Sequence, residues 1–346
     1  MKKITDAQRI DIEDASTAGL LGHLPPAIAE KDIHVTDALL VLSRVQATHT
    51  ARLIDPRQNQ QRPAQVSLVS QLVFAGGTCL SKAHGLIERM SEDIDIKIVL
   101  EPVPEGYTTG QSERTRLKGI HQQISADLHA IGFQLVDSPD NPETRDNRRY
   151  HRMDFAYQPV FRDIAGTLRP ELKVELNHGA PLLPAVPLGM GYLFDRLIGR
   201  ADTAPLTIPC VSVAETLAEK VLSLLRRCAW FWAGEQRGEF DRTLVRHVYD
   251  VWRIHTLQPA TLAAAVPIFD QLVGMDVDAY GAQNSAFAER PYQTLQEALQ
   301  RARSDPGLQQ DFQQRLLPLL YGDYKPSYQE CFAVFQQVAD QLLAAR

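Results

Sequence analysis

Leu72-Val73-Phe74-Ala75 is a short apolar run that stops at Gly76-Gly77, and Ile94-Asp95-Ile96-Lys97-Ile98-Val99-Leu100 alternates polar with β-branched residues until Pro102 and Pro104 end it. Alternation with a period of two predicts a strand with one apolar face. Between the two runs, Thr78-Cys79-Leu80-Ser81-Lys82-Ala83 reads as the first turns of a helix. A strand, a glycine turn, a helix and a second strand commit this stretch to a sheet. Downstream, Leu117, Ile120, Ile124, Leu128 and Ile131 recur at helical spacing over residues 113–131, and Gly132 closes that helix. Residues 133–136, 152–157 and 172–176 read as further strands. Residues 68–180 are therefore expected to form an α+β unit around a mixed or antiparallel sheet.

The flanks read differently. Residues 1–67 are expected to be an N-terminal helical segment, broken by a polar loop at Asp55–Pro63. Pro181 to Pro187, with Gly189 and Gly191, reads as a linker or a surface crossing. Residues 205–346 are expected to be a C-terminal helical domain. Ser212 followed by Glu215 reads as a capping box, and Val213, Leu217, Val221, Leu224 and Cys228 form an apolar stripe behind it. Leu244, Val248, Val251 and Trp252 mark a second helix, and Phe332, Phe335 and Val338 a last one.

A length of 346 residues suits two domains or three small ones. Lys and Arg total 36 against 42 Asp and Glu, a net charge of −6, which argues against indiscriminate binding to nucleic acid. No apolar run is long enough to span a membrane, and no apolar stretch follows Met1-Lys2-Lys3, so neither a membrane anchor nor a signal peptide is expected and the predicted location is the cytoplasm. Cys79, Cys210, Cys228 and Cys331 are scattered without a Cys-x-x-Cys spacing. Free core thiols in a reducing compartment are expected, not a zinc site or a redox pair.

The candidate chemistry starts at Gly76-Gly77-Thr78. Glycines allow a close backbone approach to a ligand, and N–H groups at a helix start favour anions; a plain tight turn is the bland alternative. Asp93 and Asp95, two apart on a strand, share a face. Their mutual repulsion asks for a positive partner, and Mg²⁺ held with substrate phosphates is the usual one. Lys173-Val174-Glu175-Leu176 puts Glu175 on one face with Lys173. Should this strand pair beside Asp95, three carboxylates converge, enough to hold two Mg²⁺ ions for in-line phosphoryl or nucleotidyl transfer. Lys220 and Arg227 lie along one edge of the helix stripe, where long stems can cover apolar surface and keep their charges wet. Arg246 and Asp250 are an i, i+4 pair in the less favourable order. Arg145, Arg148, Arg149, His151 and Arg152 could track phosphates at a turn or be balanced by Asp140, Glu143 and Asp146. Trp230-Phe231-Trp232 could stack a base, or more simply pack a helix end.

Phe74-Ala75-Gly76-Gly77-Thr78-Cys79-Leu80-Ser81-Lys82-Ala83 followed by Arg89-Met90-Ser91-Glu92-Asp93-Ile94-Asp95 resembles the polymerase-β-type nucleotidyltransferase superfamily, and more narrowly the AbiEii/AbiGii toxin nucleotidyltransferases with their MenT-type members. Glu30-Lys31-Asp32, Ala218-Glu219-Lys220 through Arg227, and Arg246-His247-Val248-Tyr249-Asp250 fit the same family, so the resemblance runs from about residue 28 to about residue 252. It implies a nucleotidyltransferase core with the active site between core and helices. Gly76, Gly77 and Thr78 would contact a triphosphate, with Lys82, Arg89, Ser91 and Arg227 as further nucleotide-binding candidates. Asp93 and Asp95 would be metal ligands and Glu175 a third ligand or general base. Lys220 would bind NTP phosphates, and Asp250 would be the acid that follows the Arg-x-x-Tyr stretch. His247 stands where the family often has Asp.

The expected reaction moves a nucleoside monophosphate from an NTP to an acceptor hydroxyl, with Mg²⁺ or Mn²⁺ and release of pyrophosphate. The resemblance further implies a toxin of a toxin–antitoxin or phage-defence pair, a tRNA acceptor and an antitoxin partner. Two rivals keep the fold: a nucleotidyltransferase that modifies a small molecule or a protein, and a catalytically silent binding module.

Overall fold

A computed structural model describes residues 1–22, 24–54, 64–162, 168–169, 171–235 and 239–344. The predicted loop at Asp55–Pro63 lies outside the described residues. Two compact units divide the chain: residues 1–83, 91–181 and 185–211 in the first, and residues 84–90, 182–184 and 212–346 in the second.

The first unit opens with α1 (Asp6–Thr17) and α2 (Pro26–Leu42), as expected of a helical start. The chain then departs from that expectation: Ala47–Leu53 is a strand, β1, antiparallel to β2 (Gln65–Ala75). There follow α3 (Gly76–Lys82), β3 (Ile94–Val99), β4 (Tyr107–Thr108), α4 (Glu113–Ala130), β5 (Gln134–Leu135), β6 (Glu143–Arg145), β7 (Tyr150–Ala156) and β8 (Glu171–His178). The stretch read as a linker contains a strand instead, β9 (Val186–Met190), and after α5 (Leu193–Leu197) it pairs antiparallel with β10 (Leu206–Cys210). So the sheet does not end at residue 180, and the helical part starts at residue 212, not 205.

The sheet is mixed. Its main order is β4-β1-β2-β3-β8-β7-β5. The β3–β8 and β2–β10 pairs are parallel, and the other pairs are antiparallel. Apolar residues of β3, β7 and β8 alternate into one face, where Ile94, Ile96, Ile98, Phe155, Val174 and Leu176 meet Val35 and Leu39 of α2 and Leu117, Ile120 and Ile124 of α4. Because a strand's side chains alternate, that core pushes Asp95, Lys173 and Glu175 onto the opposite face.

The second unit is helical: α6 (Val213–Ala233), α7 (Arg246–Leu257), α8 (Thr261–Tyr280), α9 (Ser285–Glu289), α10 (Pro291–Ala302), α11 (Pro306–Asp311) and α12 (Tyr328–Ala344). Ser212 caps α6 by accepting the Glu215 N–H, as half of a capping box does, while the Glu215 carboxylate accepts from the Leu183 N–H. Leu217, Val221, Leu224 and Cys228 are buried along the predicted stripe. All four cysteines are buried and unbridged. Among the described residues no helix is long and apolar enough to cross a membrane.

Candidate active site

The apolar end of β2 fixes where the glycines fall. Ala75 is extended, and Gly76 takes a φ of +75°, a conformation that L side chains rarely adopt. A Cβ at Gly76 would stand 2.0 Å from Asp95 Oδ2, so the missing side chain is the space the Asp95 carboxylate occupies. Ala75 and Asp95 are paired residues of β2 and β3, which brings the glycine turn and the acid together.

Thr78 and Ser91 serve this geometry. Thr78 is fully buried, and its hydroxyl bonds Ser91 Oγ (2.9 Å) and donates to the Asp93 carbonyl (2.5 Å). The pair ties α3 to the chain just before β3. Lys82, a candidate for the nucleotide, sits elsewhere: its ammonium meets Asp32 Oδ1 at 2.5 Å, both side chains nearly sealed from solvent. Asp32 also accepts the Leu193 N–H. These contacts make Lys82 a strut between α3 and α2.

Glu175 lies directly beside Asp95 in the parallel β3–β8 pair, so the convergence expected of the third carboxylate is present. Its Oε1 accepts from the Tyr150 hydroxyl (3.0 Å) and lies 2.8 Å from Lys173 Nζ. Lys173 Nζ is also 3.6 Å from Asp93 Oδ2. Burial, then the charges of Glu175 and Asp93, push the Asp95 carboxyl well above the usual carboxylate range. Burial works the same way on Glu175, but Lys173, together with hydrogen bonds from Asp95 and Tyr150, outweighs it and holds that carboxyl low.

The donor set suits a hard cation. Asp93 Oδ1 is buried with no hydrogen-bond partner, and burial together with the Glu175 and Asp93 charges disfavours the charged form of Asp95. Among the described residues no group of three His, Cys, Asp or Glu forms a ready metal cage.

The segment Ser91-Glu92-Asp93 is anchored by residues that sequence reasoning assigned no role. Glu92 Oε2 accepts the Arg169 N–H (3.0 Å) and lies 3.4 Å from Lys31 Nζ. Lys31 donates to the carbonyls of Arg169 and Glu171, at 2.8 and 2.6 Å. Glu30 accepts from the Val160 and Phe161 N–H groups. The signal was there: Glu30-Lys31-Asp32 is a charged triplet inside the apolar α2, and all three are buried.

In the helical unit, Asp250 is fully buried between two cations. Arg89 Nε and Nη2 each donate to it at 2.7 Å, and Lys220 Nζ lies 2.7 Å from Oδ2. Burial raises an acid, but Arg89 and then Lys220 outweigh it and hold Asp250 below the usual carboxylate range. Next to this triad, burial and then the Lys220 charge keep His247 neutral. Arg227 is apart from it, paired with Asp241 at 3.3 Å and more than a third exposed.

The two weaker expectations resolve toward structure. Arg145 and Arg152 pair with Glu143, Arg152 also with Asp154, and Arg149 with Glu113. Trp230 packs edge-on against Tyr280 and Phe287 under the Arg226 guanidinium, and Phe231 stacks on Phe240.

A family model described as nucleotidyl transferase AbiEii toxin, type IV toxin–antitoxin system, matches residues 63–334. No curated protein sequence matches the chain. Among solved structures, MenT4, a nucleotidyltransferase toxin from Mycobacterium tuberculosis H37Rv, is similar at 21% identity over 73% of this chain and 72% of that one, with a TM-score of 0.37. The family match takes in the glycine turn, both strand acids, Glu175 and the whole of the Arg89–Asp250–Lys220 triad, and on it the chain belongs to the AbiEii family of nucleotidyl transferase toxins.

Proposed function

We propose that the protein transfers a nucleoside monophosphate from an NTP to an acceptor hydroxyl of tRNA, with Asp93 and Asp95 as ligands of a divalent ion. The observation that carries this reading is the Asp93–Asp95–Glu175 cluster beside the Cβ-less Gly76. A bound Mg²⁺ or Mn²⁺ supplies charge for the phosphates and lowers the pKa of the attacking hydroxyl. Gly76 lets the Asp95 carboxylate sit against the backbone of the turn, while Thr78, bonded to Ser91, acts on Asp93 through its carbonyl. Glu175, kept ionised by Lys173 and hydrogen-bonded by Tyr150, is suited to accept the hydroxyl proton. Lys220, a phosphate ligand by the family resemblance, is oriented by Asp250, which makes Asp250 a positioning residue.

Incubation with each of the four NTPs, labelled at the α-phosphate, with Mg²⁺ or Mn²⁺ and total tRNA tests this. Label on tRNA, lost in Asp93→Ala, supports the reading; no label on any acceptor overturns it. A protein or small-molecule acceptor is the second reading. It draws support from the acids paired with Arg145, Arg149 and Arg152, which reduce the positive charge this turn offers to a chain of phosphates. Label on protein or on an added aminoglycoside decides for it. A small antitoxin encoded nearby would relieve growth arrest on co-expression.

A further inference from the structure

Asp93, Asp95 and Glu175 share one face, and three carboxylates there need positive charge. The chain supplies part of it. Ile94 is paired with Val174, so Asp93 falls opposite Lys173, and Lys173 is itself paired with Asp154 across the β7–β8 ladder. Lys173 thus stands in a row of Asp93, Lys173 and Asp154, while the next row holds Asp95, Glu175 and Arg152. Its ammonium is 2.8 Å from Glu175 Oε1 and 3.6 Å from Asp93 Oδ2, with the side chain only 14% exposed. An ammonium so placed fills the space between Asp93 and Glu175. What it leaves is Asp93 Oδ1, buried without a hydrogen-bond partner and with only the Arg169 guanidinium Nε, half-exposed, at 3.9 Å, and the Asp95 carboxyl beside Gly76.

We infer that Lys173 is the resident second cation of this site: it occupies the Asp93–Glu175 side permanently, so the protein takes one divalent ion, on Asp93 and Asp95, where an acid trio alone would take two. Lys173 is a positioning residue in this scheme, and Glu175 is not a metal ligand. The inference rests on the nucleotidyltransferase reading and sharpens it.

The test counts bound Mn²⁺ per full-length chain from the loss of the free-ion electron paramagnetic resonance signal, at saturating α,β-methylene NTP, with the Mn²⁺ held by nucleotide alone subtracted. Wild type is expected to bind one ion, Lys173→Met two, and Lys173→Arg, which keeps the charge, one. In chelator, Lys173→Met is expected to melt below wild type, and saturating Mn²⁺ to close the gap. Two ions per wild-type chain, or one per Lys173→Met chain with an unchanged melting temperature, overturns the inference while leaving the enzymatic reading intact. Lys173→Met that stays unfolded even when expressed and purified with Mn²⁺ throughout also overturns it, since the second ion should replace the lost charge. No Mn²⁺ on wild type even with nucleotide removes the metal reading and the inference with it.

Discussion

A methyl group at position 76 would have to displace the Asp95 carboxylate, and the backbone there sits at a φ of +75°. Both costs fall on one residue, so Gly76→Ala is expected to lower stability by about 1–3 kcal/mol. It is also expected to cut nucleotide transfer by roughly 100-fold or more, because a shift of about 1 Å in a reacting group is enough for that. Urea unfolding and the label-transfer assay read the two effects separately; transfer at the parental rate would show that Asp95 need not hold its place. Asp250→Asn acts elsewhere. It leaves Arg89 and Lys220 buried without their carboxylate, a change expected to cost about 3–5 kcal/mol in urea unfolding. The turn at Gly76-Gly77-Thr78 and the strand position of Asp93-x-Asp95 were legible in the sequence because each is a local pattern. The bidentate Arg89–Asp250 pair was not, since its two members are 161 residues apart. Lys82 misled for the same reason: nothing beside it announces Asp32, 50 residues earlier.

The strands that sequence reasoning found, β3, β7 and β8, bury a large side chain at every second position, mostly apolar. Those it missed lack that signal. β1 buries only two alanines, Ala47 and Ala51, and alanine favours helices when read alone. β9 contains Pro187 and Gly189, and β10 contains Pro209, residues that normally argue against a strand. The α4–β7 contact was equally silent. There His121 stacks on His151 with ring centroids 4.2 Å apart, and neither His121 nitrogen has a hydrogen-bond partner. Burial, then His151 and Arg148, push His121 down to about 3. Burial and Arg148 push His151 down to about 4. Both therefore stay neutral when folded, whereas the unfolded chain protonates them near pH 6.5. The unfolded state binds more protons between these values, so stability contributed here is full above about pH 6.5 and falls as the pH drops toward 4. His121→Phe keeps the stack and removes a buried unsatisfied ring. Its melting temperature is expected to exceed wild type at pH 5 and to fall less steeply from pH 7 to 5. A variant whose pH dependence runs parallel to the parent's would refute the assignment.

The helical unit is not contiguous: residues 84–90 and 182–184 belong to it as much as 212–346 do. The short insert carries much of the bonding. The Met90 N–H donates to the Leu319 carbonyl and the Tyr321 N–H to the Glu88 carbonyl, on either side of an antiparallel bridge between Arg89 and Leu320. Arg253 Nε donates to the Leu86 carbonyl, and the side chains of Leu86 and Ile87 are buried. Arg89 then brings its guanidinium to Asp250. A fragment cut at the natural-looking boundary, residues 212–346, loses all of this at once. It keeps a buried carboxylate with Lys220 alone and exposes the apolar surface that Leu86 and Ile87 covered. The fragment is expected to unfold at lower urea and with a broader transition than the same fragment carrying residues 84–90 on a flexible N-terminal linker. Placing Arg89→Ala in the linked form should remove most of the gain, because the guanidinium is the part of the insert that compensates a buried charge. Equal midpoints for the bare and linked fragments would mean that residues 212–346 already contain everything their fold requires. The unit would then be a domain in sequence as well as in space.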